Sequence, residues 1–428
     1  MKNFNSVKNV HFIGVGGIGV SAIAKMMYLE GKKVSGSDMA ESPVTEKLIK
    51  EGIAVYIGHK KENISEDTDL IIYTIAIPED NEELLEGRKR EIPSLTYPKA
   101  LGIISRNKKT IAISGTHGKT TTTAMVAGVL QKGELSPTVI VGSFLKGKDN
   151  FIAGTGDYLA VEACEYKRSF LNLSPYILVV TNIDEDHLDY YKDLSDIQDA
   201  FSELAKKVPA GGAIICDPKD PSVIPVIKNV KCAIINYKER DLNIELQVSG
   251  KHNILNAKAA FSVGEFLGIQ SKKIREALKE FPGTWRRQEY KGKMKSGALV
   301  YDDYAHHPTE IAATLSGFHE KYPDKKITIV FQPHLYSRTR DFFNNFAREL
   351  SKAHHVIIAP IYAAREKNTG KISGKNIAEE IAKQNKNVLY YETFLEIEKE
   401  LMKSTSEKDI IITMGAGDIY KVGETLTG

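Results

Sequence analysis

The chain contains 428 residues, 42% of them hydrophobic and 26% charged, which is the composition of an ordinary globular protein and predicts about three domains. The formal net charge is only +3, from 58 basic and 55 acidic residues, and this near balance argues against a nucleic-acid-binding protein. The three cysteines lie far apart in the sequence, which argues against a disulfide framework or a zinc site and suits a reducing compartment.

The first predicted domain, residues 1–105, alternates short apolar runs with helix-like segments, a pattern typical of parallel strands joined by crossover helices. A strand is predicted over residues 9–15 and a helix over residues 18–30. Further strands are predicted near residues 33–37, 53–56 and 69–75. The alternation therefore favours an α/β class with parallel sheets.

A glycine-rich loop, GVGGIG, lies between that first strand and helix. Gly14, Gly16 and Gly19 have the spacing of a dinucleotide-binding loop, in which glycines let the backbone approach a diphosphate and the helix N-terminus meets its charge. Asp38, at the end of the second predicted strand, has the position at which such folds bind a ribose. The pattern alone does not choose between a nicotinamide dinucleotide and another nucleotide diphosphate.

The second predicted domain, residues 106–283, opens with a strand-like run, TIAISG, and the sequence GTHGKTTTT at the start of a helix. In this context backbone amides would cradle phosphate oxygens, Lys119 would neutralise their charge and the Thr120 hydroxyl would bind Mg²⁺. The match to a phosphate loop is incomplete because Ile113 stands where the first glycine should be. Buried strands are also predicted in DYLAVEAC, YILVVTNI and GGAIICD, and a helix in NILNAKAAFSVGEFLGI.

Polar side chains follow two of these predicted strands, where an α/β sheet places its ligands. They are Glu162 and Glu165 after one strand, and Asn182, Asp184, Asp186 and His187 after another. Singly, such residues are most often helix caps, turn residues or solvated groups. Together, beside a phosphate loop, they make two metal positions plausible.

The third predicted domain, residues 284–428, begins within a hinge predicted in FPGTWRRQEYKG. Strands are predicted in LVYDDYA, KITIVFQP, HHVIIAP and DIIITMGAG, alternating with helices. Two carboxylates and two imidazoles in VYDDYAHHPTE follow the first of these strands, which is an unusual set for a simple turn.

With these motifs together, the sequence resembles the Mur ligases, the ATP-dependent amide-forming enzymes of bacterial peptidoglycan precursor synthesis. HFIGVGGIGVSAIA, GTHGKTTT, YDDYAHHPTEI, FQPHLYSRTRDFF and MGAGDIYKVGE carry the resemblance, which extends from His11 to about Glu424. It implies an α/β fold of three domains: an N-terminal Rossmann-like UDP-binding domain, a central P-loop-type ATPase with a mainly parallel sheet, and a C-terminal Rossmann-like domain. It also implies that ATP activates the lactyl carboxylate of UDP-N-acetylmuramate as an acyl phosphate, which L-alanine then attacks.

The resemblance also assigns residues to each ligand. The UDP-sugar-binding residues implied are Gly14, Gly16, Gly17, Ile18, Gly19 and Asp38. The ATP-binding residues implied are Gly115, Thr116, His117, Gly118, Lys119, Thr120, Thr121, His252, Asn253, Asn256, Arg286, Arg287 and Asp303. The implied metal ligands are Thr120, Glu162 and His187, and the implied amino-acid-binding residues are Tyr304, His306 and Arg338. The implied catalytic residues are Lys119, Glu162, His187, Arg287, His306 and Arg338.

Three positions depart from the pattern of many members: Trp285 and Gln288 beside the paired arginines, and Leu335 in the QPHLYSR segment. They bear on amino-acid preference and hinge packing more than on the reaction. Three alternatives stay open at this point: a ligase that adds a recycled murein peptide to the same UDP-sugar, a nicotinamide-dependent oxidoreductase, and a non-catalytic ATP-binding regulator.

The expected ligands are ATP, Mg²⁺, UDP-N-acetylmuramate and L-alanine, with no nucleic acid. No apolar run approaches the ~18 residues of a membrane span, so we expect a cytoplasmic protein without membrane insertion. We expect a monomer or a homodimer.

Overall fold

The computed structural model describes residues 3–145, 149–364, 366–368 and 370–428. The strands are β1 Asn9–Ile13, β2 Lys33–Asp38, β3 Ala54–Ile57, β4 Leu70–Tyr73, β5 Ser94–Thr96, β6 Lys109–Ser114, β7 Thr138–Ile140, β8 Phe151–Ile152, β9 Tyr158–Glu162, β10 Pro175–Val180, β11 Ala213–Cys216, β12 Ala233–Asn236, β13 Glu289–Lys293, β14 Leu299–Asp303, β15 Lys326–Phe331, β16 His355–Ile358, β17 Val388–Tyr390 and β18 Asp409–Met414.

The α-helices are α1 Ile18–Leu29, α2 Pro43–Lys50, α3 Glu82–Lys89, α4 Tyr97–Arg106, α5 Lys119–Lys132, α6 Leu194–Ala205, α7 Ile224–Ile227, α8 Lys251–Phe266, α9 Ser271–Lys279, α10 Pro308–Lys321, α11 Tyr336–Asp341, α12 Phe343–Leu350, α13 Gly374–Ile381, α14 Phe394–Ser404 and α15 Tyr420–Thr427. None of the helices in the described part of the chain is long and apolar enough to cross a bilayer.

The first sheet has the strand order β3-β2-β1-β4-β5, and all its neighbours are parallel. β1 is central, and its Phe12 and Ile13 are fully buried because both faces of a parallel sheet are covered by crossover helices. Successive strands are added on one side of β1 as far as β3 and then on its other side, beginning with β4, so the strand order reverses beside β1. The loop from β1 to α1 therefore opens at the topological switch point where such sheets bind ligands.

The second sheet has the order β12-β11-β10-β6-β9-β7-β8 and is parallel except for the β7–β8 pair. β6 lies between β10 and β9, with Ser114 opposite Val180 and Ile113 opposite Glu162. The loop after β6 is thus flanked by the carboxyl ends of β9 and β10. This register is what places the polar residues after those strands beside the loop.

The third sheet has the order β13-β14-β18-β15-β16-β17, with only the β13–β14 pair antiparallel among these strands. Ile410 and Ile412 of β18 pack into one apolar cluster and Ile411 into another, so the strand is buried on both faces. The α/β class with mainly parallel sheets, predicted from the sequence, is confirmed. The predicted hinge around QEYKG is instead partly strand β13, because its pairing with β14 outweighs a polar, glycine-containing sequence.

Contacts divide the chain into two compact units. One contains the first two sheets and comprises Met1–Asp186, Lys192–Ile244 and Asn256–Leu278. The other contains the third sheet and comprises His187–Tyr191, Glu245–Leu255 and Lys279–Gly428. Both units are discontinuous in sequence, whereas the three predicted domains are continuous segments.

Candidate active site

The glycine-rich loop after β1 is shaped by its own backbone contacts. Gly14 has a φ of +78°, which is costly for any residue with a Cβ atom. The amides of Gly14 and Val15 donate to the Ser37 carbonyl at 2.8 and 2.9 Å, and the amide of Gly16 donates to Asp38 Oδ2 at 2.8 Å. α1 then begins at Ile18 without a side-chain cap. Such a helix start can hold an anion on its free amides.

A buried polar network lies beneath this loop. Glu83 is fully buried and accepts hydrogen bonds from Ser37 Oγ at 2.5 Å and Asn63 Nδ2 at 2.6 Å, while His59 Nδ1 lies 3.2 Å from it. Burial alone would raise the pKa of Glu83, but hydrogen bonds from His11, His59 and the other partners lower it to about 2. An ionised carboxylate therefore fixes Ser37, whose carbonyl holds the loop above it.

The phosphate loop after β6 is organised around Lys119, the first residue of α5. Its Nζ donates to the carbonyls of Gly115 at 2.6 Å and Thr116 at 3.0 Å, and to Glu165 Oε1 at 3.0 Å. Gly118, at the N-cap of α5, has a φ of +83°. A Cβ atom on Gly115 would lie only 2.1 Å from Thr181 Oγ1, so the loop runs tightly against the end of β10.

Burial would lower the pKa of Lys119, but the Glu165 carboxylate outweighs that effect, and the net shift is upward. Glu165 is itself only 3% exposed. The lysine is therefore held as a cation at the loop, where its donors can turn from loop carbonyls to phosphate oxygens. The sequence predicts Glu165 as a candidate metal ligand, whereas in the structure it pairs with Lys119.

Two oxygen donors of the predicted metal set belong to the same sheet edge. Glu162 ends β9 opposite Ile113, and Thr120 lies in the first turn of α5 with 8% exposure. A Cβ atom on Gly142 would fall 1.7 Å from Glu162 Oε2, so the carboxylate occupies the space that only a glycine leaves. Carboxylate and hydroxyl oxygens are the ligands that Mg²⁺ prefers, and this donor set therefore fits that ion.

The residues after β10 support the phosphate loop directly. Asn182 Oδ1 accepts from the His117 amide at 2.9 Å and its Nδ2 donates to the His117 carbonyl at 3.1 Å, while Thr181 Oγ1 donates to the same carbonyl at 2.6 Å. Asn256 lies on the loop's other side, because a Cβ atom on Gly118 would be 2.5 Å from its Oδ1. The TNID sequence predicts Asn182 as a candidate site residue, but it does not show that this side chain holds the backbone of the phosphate loop.

His187, His252 and Asn253 belong to the second compact unit. His187 has a φ of +55°, and its carbonyl accepts from the amides of Tyr190 and Tyr191, both at 2.9 Å. Asn253 is buried and donates through Nδ2 to the Ser249 carbonyl at 2.7 Å. Burial, reinforced by Arg287, lowers the pKa of His252 to about 4, so the imidazole is neutral at pH 7.

The paired arginines have different surroundings. Arg286 is only 2% exposed; its guanidinium donates to Asp302 Oδ2 at 2.7 Å and to the carbonyls of Gly417 at 2.9 Å and Gly415 at 2.6 Å. Arg287 is 27% exposed, and its Nη1 lies 3.5 Å from Glu310 Oε1. The buried arginine thus fastens the ends of β14 and β18, while the second one is left accessible.

Asp303, the last residue of β14, is also held by the protein. Its Oδ1 accepts from the Ala305 amide at 2.9 Å and its Oδ2 from Thr314 Oγ1 at 3.0 Å. Burial raises the pKa of Asp303 to about 6, although Arg287 opposes the shift. The carboxylate is therefore ionised at neutral pH by a small margin.

The predicted amino-acid-binding residues come together beyond β14 and β15. The ring centroids of Tyr304 and His306 are 5.4 Å apart, and those of His306 and His334 are 5.9 Å apart. Arg338 Nη1 lies 3.2 Å from His334 Nδ1. Tyr362, which sequence reasoning missed, stacks on His334 with ring centroids 5.7 Å apart. Its position shortly after β16, near the carboxyl end of a parallel strand, is the sequence feature that could have identified it.

Leu335, one of the departures, has a φ of +68° and is only 2% exposed. Its side chain is therefore packed inside rather than offered to a ligand. The turn that it forms starts α11 and carries Arg338 into the cluster with His306 and His334.

Comparisons with known proteins cover nearly the whole chain. Three family models match in succession: "Mur ligase family, catalytic domain" at residues 9–109, "Mur ligase middle domain" at 113–243 and "Mur ligase, glutamate ligase domain" at 286–417. A protein named UDP-N-acetylmuramate–L-alanine ligase from Clostridium botulinum is 43% identical, over 97% of each chain.

Solved structures give the same result. The UDP-N-acetylmuramate-alanine ligase of Thermotoga maritima matches with a TM-score of 0.82 and 30% identity, over 98% of each chain. A murein peptide ligase from Psychrobacter arcticus matches with a TM-score of 0.73 over 98% of each chain, but at 22% identity it shows a shared fold only.

Proposed function

The chain belongs to the Mur ligase family, and from that premise we propose that it joins L-alanine to the lactyl carboxylate of UDP-N-acetylmuramate with consumption of ATP, in peptidoglycan precursor synthesis. The observation that carries the proposal is the similarity, from end to end, to alanine-adding ligases. Two features support it: the charged Lys119 in the phosphate loop would bind an anion, and the cluster around Arg338 would bind the amino-acid carboxylate.

The first step converts a poor electrophile into a good one. A lactyl carboxylate oxygen attacks the γ-phosphorus of ATP, the bond from that phosphorus to its bridging oxygen breaks, and ADP leaves with the bonding electrons. The carboxylate and the triphosphate are both anionic and must approach each other, so charge neutralisation and alignment dominate the barrier. Lys119 and the amides at the start of α5 would bind the phosphates, and Arg287, the accessible member of its pair, would contact the transferred group.

We propose Mg²⁺ as the metal, with Thr120 and Glu162 as ligands and His187 at a second position. When bound, the ion would shield the phosphate oxygens and polarise the transferred group. Glu162 is held at the edge of β9 by strand pairing and by the space at Gly142, so its carboxylate is oriented before any ligand arrives.

In the second step the alanine amine attacks the carbonyl carbon of the acyl phosphate. The carbon–oxygen bond to phosphate breaks, inorganic phosphate leaves, and the nitrogen loses a proton. Arg338 would pair with the alanine carboxylate, with Tyr304 and His306 beside it. Discrimination by a methyl-sized pocket is worth only ~1–3 kcal/mol, so selectivity for alanine over glycine or serine should be modest.

The remaining assignments follow from this reaction. The UDP diphosphate and ribose would be held by Gly14, Gly16, Gly17, Ile18, Gly19 and Asp38. The adenine of ATP would be contacted by His252, Asn253 and Asn256. Because ATP and UDP-sugars are cytoplasmic metabolites, we propose the cytoplasm as its location, with the protein a monomer or a homodimer.

A murein-peptide-recycling ligase is the main alternative, since such an enzyme shares the fold. The deciding experiment measures phosphate release from ATP and Mg²⁺ with UDP-N-acetylmuramate, with and without L-alanine, and the mass of the sugar product. We expect release that requires both substrates and a product heavier by one alanyl residue. Release that requires a murein tripeptide instead would move the assignment to peptide recycling. Absence of turnover with either amine would overturn the ligase reaction.

A further inference from the structure

Tyr97, the first residue of α4, has no role in the reaction proposed above. Its ring lies directly on the first turn of α1: a Cβ atom on Gly19 would be 2.4 Å from both Cζ and the hydroxyl oxygen, and 2.9 Å from Cε2. Gly19 ends the glycine loop that would hold the UDP diphosphate. The phenol therefore lies next to the point where a UDP-sugar leaves that loop.

The same helix packs against the segment that follows Glu162 in the second sheet. A Cβ atom on Gly102 would be 2.5 Å from the Asn172 carbonyl oxygen, and the Ser174 amide donates to Ser105 Oγ at 3.1 Å. Burial, with the neighbouring charges of Glu162 and Cys164, raises the pKa of Tyr97. The phenol thus remains protonated and lies within electrostatic reach of the predicted metal ligand.

The first turn of α1 is also tied to the second sheet from another side. Asn150 precedes β8 and donates through Nδ2 to the Ile18 carbonyl at 2.5 Å and to Ser21 Oγ at 3.0 Å. The first turn of α1 is thus joined to the second sheet through Asn150, and α4, the helix that begins with Tyr97, is joined to the segment after β9. Tyr97 is partly buried at this junction, and its hydroxyl makes no hydrogen bond with any residue in the described part of the chain.

We propose that the Tyr97 hydroxyl donates a hydrogen bond to the lactyl carboxylate of the bound UDP-sugar and directs it toward the Glu162 edge of the phosphate loop. The inference rests on the proposed function, because that reaction requires a carboxylate to travel from the glycine loop to the γ-phosphate. A neutral phenol suits this role, because it donates to a carboxylate without adding a cation that would pair with Glu162.

The test compares two UDP-sugars that share the diphosphate but differ in the lactyl group. Tyr97→Phe keeps the ring against Gly19, so the fold is retained, and removes only the hydroxyl. Titration calorimetry should show an affinity for UDP-N-acetylmuramate at least about tenfold weaker, as expected for loss of a hydrogen bond to a charged group, with the affinity for UDP-N-acetylglucosamine unchanged. The KM for ATP should also be unchanged.

Tyr158→Phe is the matched control, because Tyr158 begins β9 at the opposite end of the strand and packs near Lys109. It should leave both affinities unchanged. Equal weakening for the two sugars in Tyr97→Phe would assign the hydroxyl to packing of the loop and overturn the proposal, as would no weakening at all. A wild-type chain that binds neither sugar would instead overturn the proposed function, which is measured first and separately.

Discussion

The two glycine loops of this protein follow the same plan, but the charged side chains that bond to their backbones have opposite signs. Each follows a central strand and opens a helix, β1 into α1 and β6 into α5. In the first loop the nearest charged group is an acid, since Asp38 Oδ2 accepts from the Gly16 amide. In the second it is a base, since Lys119 donates to the loop's own carbonyls and to Glu165.

The difference agrees with the two proposed roles, a first loop that binds a diphosphate and a second loop at which a phosphoryl group is transferred. A diphosphate that is only bound needs amides and a helix N-terminus, and a carboxylate can occupy the remaining space to bind ribose. A phosphoryl group that is transferred needs a cation that stabilises charge developing in the transition state. The supports differ as well: an ionised Glu83 network beneath the first loop, and the neutral Thr181 and Asn182 beneath the second.

The largest expected effect comes from removing the cation of the second loop. Lys119→Met should lower kcat/KM for phosphate release by about 10³-fold, because a preorganised charge at the reacting group is lost. Binding of UDP-N-acetylglucosamine, measured by calorimetry, should not change. Lys109→Met, at the other end of β6, is the control and should keep at least about half of the activity. If Lys119→Met and Lys109→Met lost similar amounts of activity, the charge at the second loop would have no special role in the reaction.

A second prediction concerns the ionic support of the first loop. The pKa of Glu83 is lowered from 4.5 to about 2, so its ionised form stabilises the folded chain above pH 4.5, and this stabilisation is lost as the pH falls toward 2. Glu83→Gln should therefore lower the free energy of unfolding at pH 7 by about 2–3 kcal/mol. The difference between variant and wild type in the free energy of unfolding should shrink as the pH falls from 4.5 to about 2.

Urea denaturation across that pH range measures the effect. Glu82→Gln, at the exposed neighbouring position, should change the stability by less than about 0.5 kcal/mol at every pH. If the stability difference between Glu83→Gln and wild type did not change with pH, the charge of Glu83 would not be the source of the stabilisation, and the prediction would be wrong.

The backbone of the first loop provides a third prediction. Gly14→Ala forces a Cβ atom to within 2.4 Å of Thr74 Cγ2 at a φ of +78°. We expect the KM for UDP-N-acetylmuramate to rise about tenfold, because the loop must shift by a fraction of an ångström. Gly31→Ala, at the other end of α1, has the same backbone strain at φ +83° but open space around it. It should cost about 1 kcal/mol of stability and leave the KM unchanged.

The smallest effect is expected behind the second loop, inside α5. A Cβ atom on Gly128 meets nothing within 4 Å, so Gly128→Ala should stabilise the chain by about 0.5–1 kcal/mol through helix propensity. The matched helical position is Gly264, where a Cβ atom would lie 2.7 Å from Val129 Cγ1. Gly264→Ala should lower the melting temperature. If Gly128→Ala and Gly264→Ala both raised it, the close packing around Gly264 would not determine the effect of the substitution.

Short and edge strands show where the sequence pattern was insufficient. β5, β7, β8, β12 and β17 were not predicted individually, and β13 was placed in a hinge. Each has two to five residues, and its strand state depends on pairing with another strand rather than on its own sequence. By contrast, β1, β6, β15 and β18 were predicted because both faces of a parallel strand are buried and leave a continuous apolar run.

Some features of the candidate site were likewise predictable from local sequence, and others were not. Motifs of fixed local geometry identified the two glycine loops and named Lys119 and Glu162, since a strand–loop–helix unit is specified by neighbouring residues. The pattern did not show that Glu165 pairs with Lys119, that Asn182 clamps His117, or that Tyr362 stacks on His334. Those pairs join residues 28 to 65 positions apart.

The sequence by itself thus determined the family and the α/β class, and its local motifs predicted the two glycine loops and their candidate residues. Only the tertiary structure decided how the paired arginines differ: Arg286 is buried and donates to Asp302 and two carbonyls, whereas Arg287 is 27% exposed and lies near Glu310. It also decided that Tyr97 meets Gly19. The physical reason is that strand order and register set which side chains meet, and these depend on packing between segments that no local pattern encodes.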